Sequence, residues 1–318
     1  MFTLRADPWM PEYGMGFDVR FDEPPAVVEP FIESDDWSAP RSVPKYAVEP
    51  VHFIDGVRRI DLRLLADVDG RRVPGLFGTY AAGSALCDGK ASFEAEQVGR
   101  AVVLGGGQDI GSIEVRIGAT PCTFRSSPTP GAEPDDPLLK LQDLMRDAET
   151  NMAARLAETD GDLVVVDGPL AFYRETKGPI VGVIKRFGRV YLEPEQGRLI
   201  PKLAPGERTP LFAIAGKSDR RRRYAWYSRL TPARAPWHDH AGVVRCEVRG
   251  SMALEDAVEL ADRVAALLPH FSGRAQDPRT PQNLVPIAGL ETWLRHRAGD
   301  TRLIRRALLD WIATEAAA

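Results

Sequence analysis

Asp162-Leu163-Val164-Val165-Val166-Asp167-Gly168 is the stretch on which the fold turns. Its apolar run is β-branched and too short for a helix, so it reads as a strand. With apolar residues on both sides of the pleat, that strand is buried on both faces, as strands inside a helix-covered parallel sheet are. Asp167-Gly168 closes it. A carboxylate at such a strand end is costly unless something pairs with it, and a metal ion is one such partner. Strand ends of open sheets are also where ligands gather. The plain alternative is that Asp-Gly simply starts a turn.

The pattern just upstream strengthens the first reading. Residues 138–156 read as a helix, with Leu138, Leu141, Met145, Met152 and Leu156 at helical spacing. Glu149 falls on the apolar stripe, while Asp143 and Asp147 lie off it. An acid there is either an edge residue paired with an arginine or a group aimed at the sheet. Further back, Val51-His52-Phe53-Ile54-Asp55-Gly56 is a second apolar run closed by Asp-Gly. After it, Ile60, Leu62 and Leu64 alternate with Asp61 and Arg63 as a period-two strand. Strands are expected at 75–82, 101–104, 113–117, 180–185, 189–192, 224–230 and 243–248, a loop at 126–137, and helices at 254–268, 290–297 and 302–313. The order gives an α/β or α+β body.

The 318 residues suit one large domain over 46–318. Residues 1–45, rich in proline and acids, form an N-terminal arm that packs on the body or on a partner. A net charge of -4 excludes a protein basic all over, though not a local basic groove. No apolar run approaches the roughly 20 residues of a membrane span, and the first residues lack a basic-then-apolar leader. Cys87, Cys122 and Cys246 are scattered and odd in number, as free thiols in a reducing cytoplasm would be.

An acid on the first strand, a glutamate on the first long helix and an aspartate ending the next buried strand form the layout of an RNase H-like nuclease core. The fold class expected is therefore α/β: a mixed sheet flanked by helices, with an N-terminal arm and C-terminal helices. Three hard oxygen ligands, Asp55, Glu149 and Asp167, suit Mn²⁺ or Mg²⁺. Two such ions would activate water and stabilise the leaving oxygen of a phosphodiester.

The chain resembles the NurA nuclease family, partners of the HerA hexameric DNA translocase in end resection. The resemblance rests on Phe53-Ile54-Asp55-Gly56, Leu144-Met145-Arg146-Asp147-Ala148-Glu149, the 162–170 stretch, Val181-Gly182-Val183-Ile184-Lys185 and Pro281-Gln282-Asn283-Leu284-Val285-Pro286-Ile287. It implies a homodimer acting on DNA as a Mn²⁺-dependent exonuclease and single-strand endonuclease beside a HerA-like ATPase. Carried over by motif, Asp55, Glu149 and Asp167 hold the metals and Lys185 lies near the scissile phosphate. Two departures stand out. Val57 follows Gly56 where a small hydroxyl residue is common. Gln282 and Asn283 stand where archaeal members place a histidine, which leaves a fourth ligand missing, with Asp277 and His270 the nearest substitutes. A catalytically degenerate scaffold of a translocase complex is the alternative.

Arg220-Arg221-Arg222-Arg223-Tyr224-Ala225-Trp226-Tyr227 is the one dense basic-aromatic segment. Arg221, Arg222 and Arg223 would neutralise phosphates and Tyr224 would stack on a base, unless these aromatics are core. Arg58 and Arg59 follow Asp55 closely and would grip a phosphate or face solvent; Gln282 and Asn283 complete the expected nucleic-acid contacts. Trp237-His238-Asp239-His240 lacks a further ligand at suitable spacing and reads as a loop. Gly105-Gly106-Gly107 lacks the Gly-Lys-Ser/Thr ending of a phosphate loop and reads as a turn, which argues against a nucleotide-binding protein of the actin-like fold.

Overall fold

The computed structural model describes residues 2–6, 26–68, 70–170, 175–185, 190–215, 221–233, 237–273 and 283–315. In chain order the elements are β1 (Phe2–Ala6), β2 (Val28–Glu29), β3 (Val51–Val68), β4 (Arg71–Asp88), β5 (Lys90–Leu104), β6 (Ile113–Ile117) and β7 (Thr120–Ser126). Then come α1 (Asp136–Thr159), β8 (Leu163–Asp167), β9 (Ile180–Ile184), α2 (Pro194–Gly197), β10 (Phe212–Ile214), β11 (Arg223–Arg229) and β12 (Val243–Arg249). Helices α3 (Leu254–Leu267), α4 (Val285–Arg297) and α5 (Thr301–Glu315) follow. The result is a mixed α/β architecture, one large and mostly antiparallel sheet with helices against it.

The sheet order is β2-β10-β11-β12-β9-β8-β3-β4-β5-β7-β6, with β1 also on β3. The long strands β3, β4 and β5 form an antiparallel meander. Helix α1 then returns the chain so that β8 lies parallel to β3 and β9 parallel to β8. Burial of Leu163, Val164 and Val165 follows from that central place, between two neighbours and under helices on either face. On one face Val51, Phe53, Leu163, Val165, Val181 and Val183 pack against α3 and α4. On the other, Ile54 and Val164 meet Ala148, Met152 and Ala153 of α1. A third cluster joins the far halves of β3 and β4 to α5 through Leu62, Phe77, Phe124, Ile304 and Leu308.

Two expectations are corrected. Asp55-Gly56 does not close a strand: β3 runs straight through it for 18 residues. Gly56 lies mid-strand for a packing reason, because a Cβ there would collide with Glu149 Oε1 and sit 2.8 Å from Met145 Cγ. Residues 190–192 form no strand; Tyr191 and Leu192 fill a core beside β10 and β11 without entering a ladder.

Candidate metal centre

The parallel pairing of β3 with β8 runs from Val51↔Leu163 to Ile54↔Val166, so Asp55 and Asp167 are the next residues on the two strands. Alternation puts both on the side of Phe53 and Val165, facing α4. Asp167 is level with Val183 of β9, and two residues on, Lys185 Nζ donates to Asp167 Oδ2 at 2.8 Å. Glu149 approaches from the opposite face, and the missing side chain of Gly56 gives its carboxylate room. Gly182 does similar work for the loop after β8: a Cβ there would lie 2.7 Å from the Leu170 nitrogen and 2.8 Å from the Gly168 oxygen.

One acid of this group is absent from the sequence-based expectation. Glu291 of α4 has a carboxylate oxygen that, with one each from Asp55 and Asp167, makes a trio lying within 4.8 Å of one another. Its signal was legible, since Ile287, Leu290 and Leu294 are fully buried and Glu291 lies four residues after the first and three before the last. It is the anomaly already noted for Glu149, an acid on an apolar stripe. Arg295 Nη2 donates to Glu291 Oε2 at 3.0 Å.

The electrostatics are those of acids crowded together out of water. Burial first, then the charges of Asp167 and Glu149, hold the Asp55 carboxyl well above its usual range, and Lys185 only partly opposes them. Glu149 is pushed up to about 8, by burial and then by Asp167, with Arg146 opposing. Asp55 Oδ2 is buried with no hydrogen-bond partner. An orphaned acceptor among converging carboxylates is what a hard divalent cation satisfies, and an all-oxygen donor set suits Mg²⁺ or Mn²⁺. The residues present fit such an ion.

No protein-family model and no curated protein matches this chain. Among solved structures, it is similar to the crystal structure of the NurA nuclease from Sulfolobus solfataricus. The identity is 11%, the match covers 87% of this chain and 86% of that one, and the TM-score is 0.49. Likeness of that degree transfers no residue role.

The remaining expected site residues are scattered. Arg59 is committed to the body: it donates to Asp61 Oδ1 at 2.8 Å and to the carbonyls of Gly299 and Ala298 at 2.7 and 3.0 Å. Arg58 Nε donates to Gln142 Oε1 on α1. Arg223 pairs with fully buried Glu247 at 2.9 Å, and Arg222 pairs with Glu29; Arg221 is exposed. Tyr224 is not a base-stacking surface. It is 8% exposed, because β11 alternation puts it in the core with Trp226, and Arg222 covers its ring at 5.4 Å. Asn283 is also buried, and its carbonyl accepts from Gly273 N at 2.7 Å. Gln282 and Asp277 lie outside the described residues, as does Arg220. His270 is exposed and lines a small hollow with Tyr46 and Arg263. The three cysteines are unpaired, two of them buried. Among the described residues, no helix is long and apolar enough to cross a membrane.

Proposed function

We propose that this chain is a divalent-metal-dependent nuclease that hydrolyses DNA phosphodiesters, on a core of RNase H-like layout. One observation carries the reading: three acids from β3, β8 and α4 converge where the parallel strands end, one with an orphaned buried oxygen and another bearing a lysine, and the charge of Glu149 on α1 is felt by two of them. Support for the layout comes from the order of meander, crossover helix and parallel strand, with Asp55, Glu149 and Asp167 on those three elements in turn.

In this reading Asp55, Glu149, Asp167 and Glu291 hold Mn²⁺ or Mg²⁺. The ions supply an activated water and charge stabilisation at a phosphodiester. Lys185, at the rim, orients the Asp167 side chain through its 2.8 Å contact and offers its ammonium to the phosphate oxygens. Buried Glu247 accepts from the Leu170 nitrogen at 3.3 Å and so holds the loop that follows Asp167. The reading of a degenerate scaffold was motivated by the want of a fourth ligand, and in the present reading Glu291 takes that place. The homodimer, the exonuclease activity and the HerA-like translocase belong to the same proposal through the NurA resemblance.

The test is cleavage of labelled single-stranded and duplex DNA with Mn²⁺, with Mg²⁺ and with EDTA, beside Asp167→Asn. Metal-dependent cutting, absent in EDTA and lost in the variant, is expected. A folded chain that cuts in no lane, even with its translocase added, overturns the reading.

A further inference from the structure

Beyond the acids, the groove between β3 and α1 holds two cations to which the site chemistry above gives no contact with substrate. The helix runs against the strand. Gly56 faces Glu149 and Met145, Arg58 bonds to Gln142, and Ile60 packs with Leu138 and Leu141. Arg146 lies one turn beyond Gln142 and three residues before Glu149, so it is level with the stretch between Gly56 and Arg58. Both arginines are half-buried.

Arg58 is the informative one. A guanidinium taken partly out of water is costly unless an anion pairs with it. Among the described residues Arg58 has no carboxylate partner; a neutral amide takes its Nε–H. Burial and then the like charge of Arg146 both press it downward from the usual arginine range. Its two terminal nitrogens form the fork that matches phosphate geometry. Two residues along a strand span about 6.6 Å, so Arg58 stands one such step from the position where Glu149 meets β3.

We propose that Arg58 and Arg146 form a phosphate subsite beside the acids, holding the backbone phosphate next to the one that is cut. The assignment rests on the nuclease reading and gives it a direction: the strand runs along β3 away from Asp55, over the α1 side. Arg146 then has two duties, offsetting Glu149 and sharing the phosphate with Arg58.

The experiment is binding of a fluorescein-labelled oligothymidylate with phosphorothioate linkages to the full chain in Mg²⁺, read by anisotropy across a salt series. Cleavage of the ordinary oligonucleotide in Mn²⁺ is measured beside it. Arg58→Gln and Arg146→Gln each weaken binding about threefold to tenfold, and each lowers the slope of log K against log salt by about 0.7, the value for one phosphate on a single strand. The double variant lowers the slope no further, because the phosphate is shared. Arg306→Gln, on the exposed face of α5, changes neither quantity. Should Arg58→Gln fail to fold, Arg146→Gln and the charge-keeping Arg58→Lys decide, the latter retaining the slope. Variants with wild-type affinity and slope, from a chain that cuts, overturn the subsite alone. A wild-type chain that neither binds nor cuts overturns the subsite and the nuclease reading together.

Discussion

Glu149 shows at the scale of one residue what crowding acids does to a fold. Its carboxyl titrates at about 8 in the folded chain against the ordinary 4.5. Between those values the unfolded chain has lost the proton and the folded chain still holds it. Metal-free stability is therefore undiminished by this group below about pH 4.5, falls as pH rises toward 8, and levels off above. The slope from one such proton is at most about 1.4 kcal/mol per pH unit. Asp55, shifted in the same direction, adds to it. Thermal melts in EDTA from pH 5 to 8 should show this decline, and Glu149→Gln should flatten it. With Mn²⁺ added, the order reverses: the ion needs the deprotonated acids, so the rise in melting temperature on adding metal grows toward pH 8. A flat melting profile in EDTA, identical in the variant, would contradict the buried position of Glu149.

At the scale of elements, the site depends on where α4 is pinned: its apolar face sits in the core, and Arg59 fastens its C-terminal end. Its guanidinium meets the carbonyls of Ala298 and Gly299 at the end of α4, where helix carbonyls lack partners and a cation is favoured. Asp61, fully buried, fixes that guanidinium and also accepts from Thr79 Oγ1 at 2.5 Å. Arg59→Ala leaves buried Asp61 without its hydrogen-bonded counter-charge, the more remote Arg100 remaining, a change expected to cost about 3 kcal/mol in urea unfolding. Asp61→Asn in the same background should recover part of that loss, which a mere loss of packing at Arg59 would not allow. Legibility followed the same physics. Strand β8 was readable from its unbroken β-branched run, and helices α1 and α3 from apolar stripes sustained over most of their length. The extent of β3 was not, because Asp55-Gly56 carries the same local signal as a turn and only the approach of Glu149 from another element explains the glycine. Glu149 was found by its place on an apolar stripe. Glu291 was passed over because the helix expected at 290–297 began too late to include Ile287, so its stripe was cut short. The pairs Arg59–Asp61 and Arg223–Glu247 join partners whose roles depend on other elements, which no spacing rule reveals.

For the whole molecule, the segment before β3 matters more than its composition suggests. Proline and acids marked residues 1–45 as an arm, and two-residue strands are too short to leave a periodic trace. Yet β2 extends the sheet at β10, and Arg41 bridges to Arg208. The fastening is ionic. Buried Arg208 donates to both oxygens of Glu33, at 2.8 and 3.1 Å, and to Asp262 of α3 at 2.6 Å. Glu33 also accepts from the backbone nitrogen of Leu211 at 2.6 Å, just before β10. One carboxylate thus ties the arm, the sheet edge and, through Arg208, a helix on the sheet face. Glu33→Ala strips Arg208 of one of its two anions and orphans a backbone donor, for an expected loss of about 3 kcal/mol in denaturant unfolding. Asp262 keeps the loss from reaching the full cost of an unpaired buried charge. Limited proteolysis under native conditions should then cut within 26–45 in the variant well before the wild type, because Glu33 is the anchor between the short β2 ladder and the Arg41 bridge. The acids at the end of β8 lie on the far side of β9, β11 and β12 from this fastening. Metal-dependent cleavage by the variant, assayed well below its melting point, should therefore stay within about twofold of wild type, as expected for sites that share no partners. A proportionate fall in cleavage and stability would instead mean that the arm reaches the metal centre through the sheet.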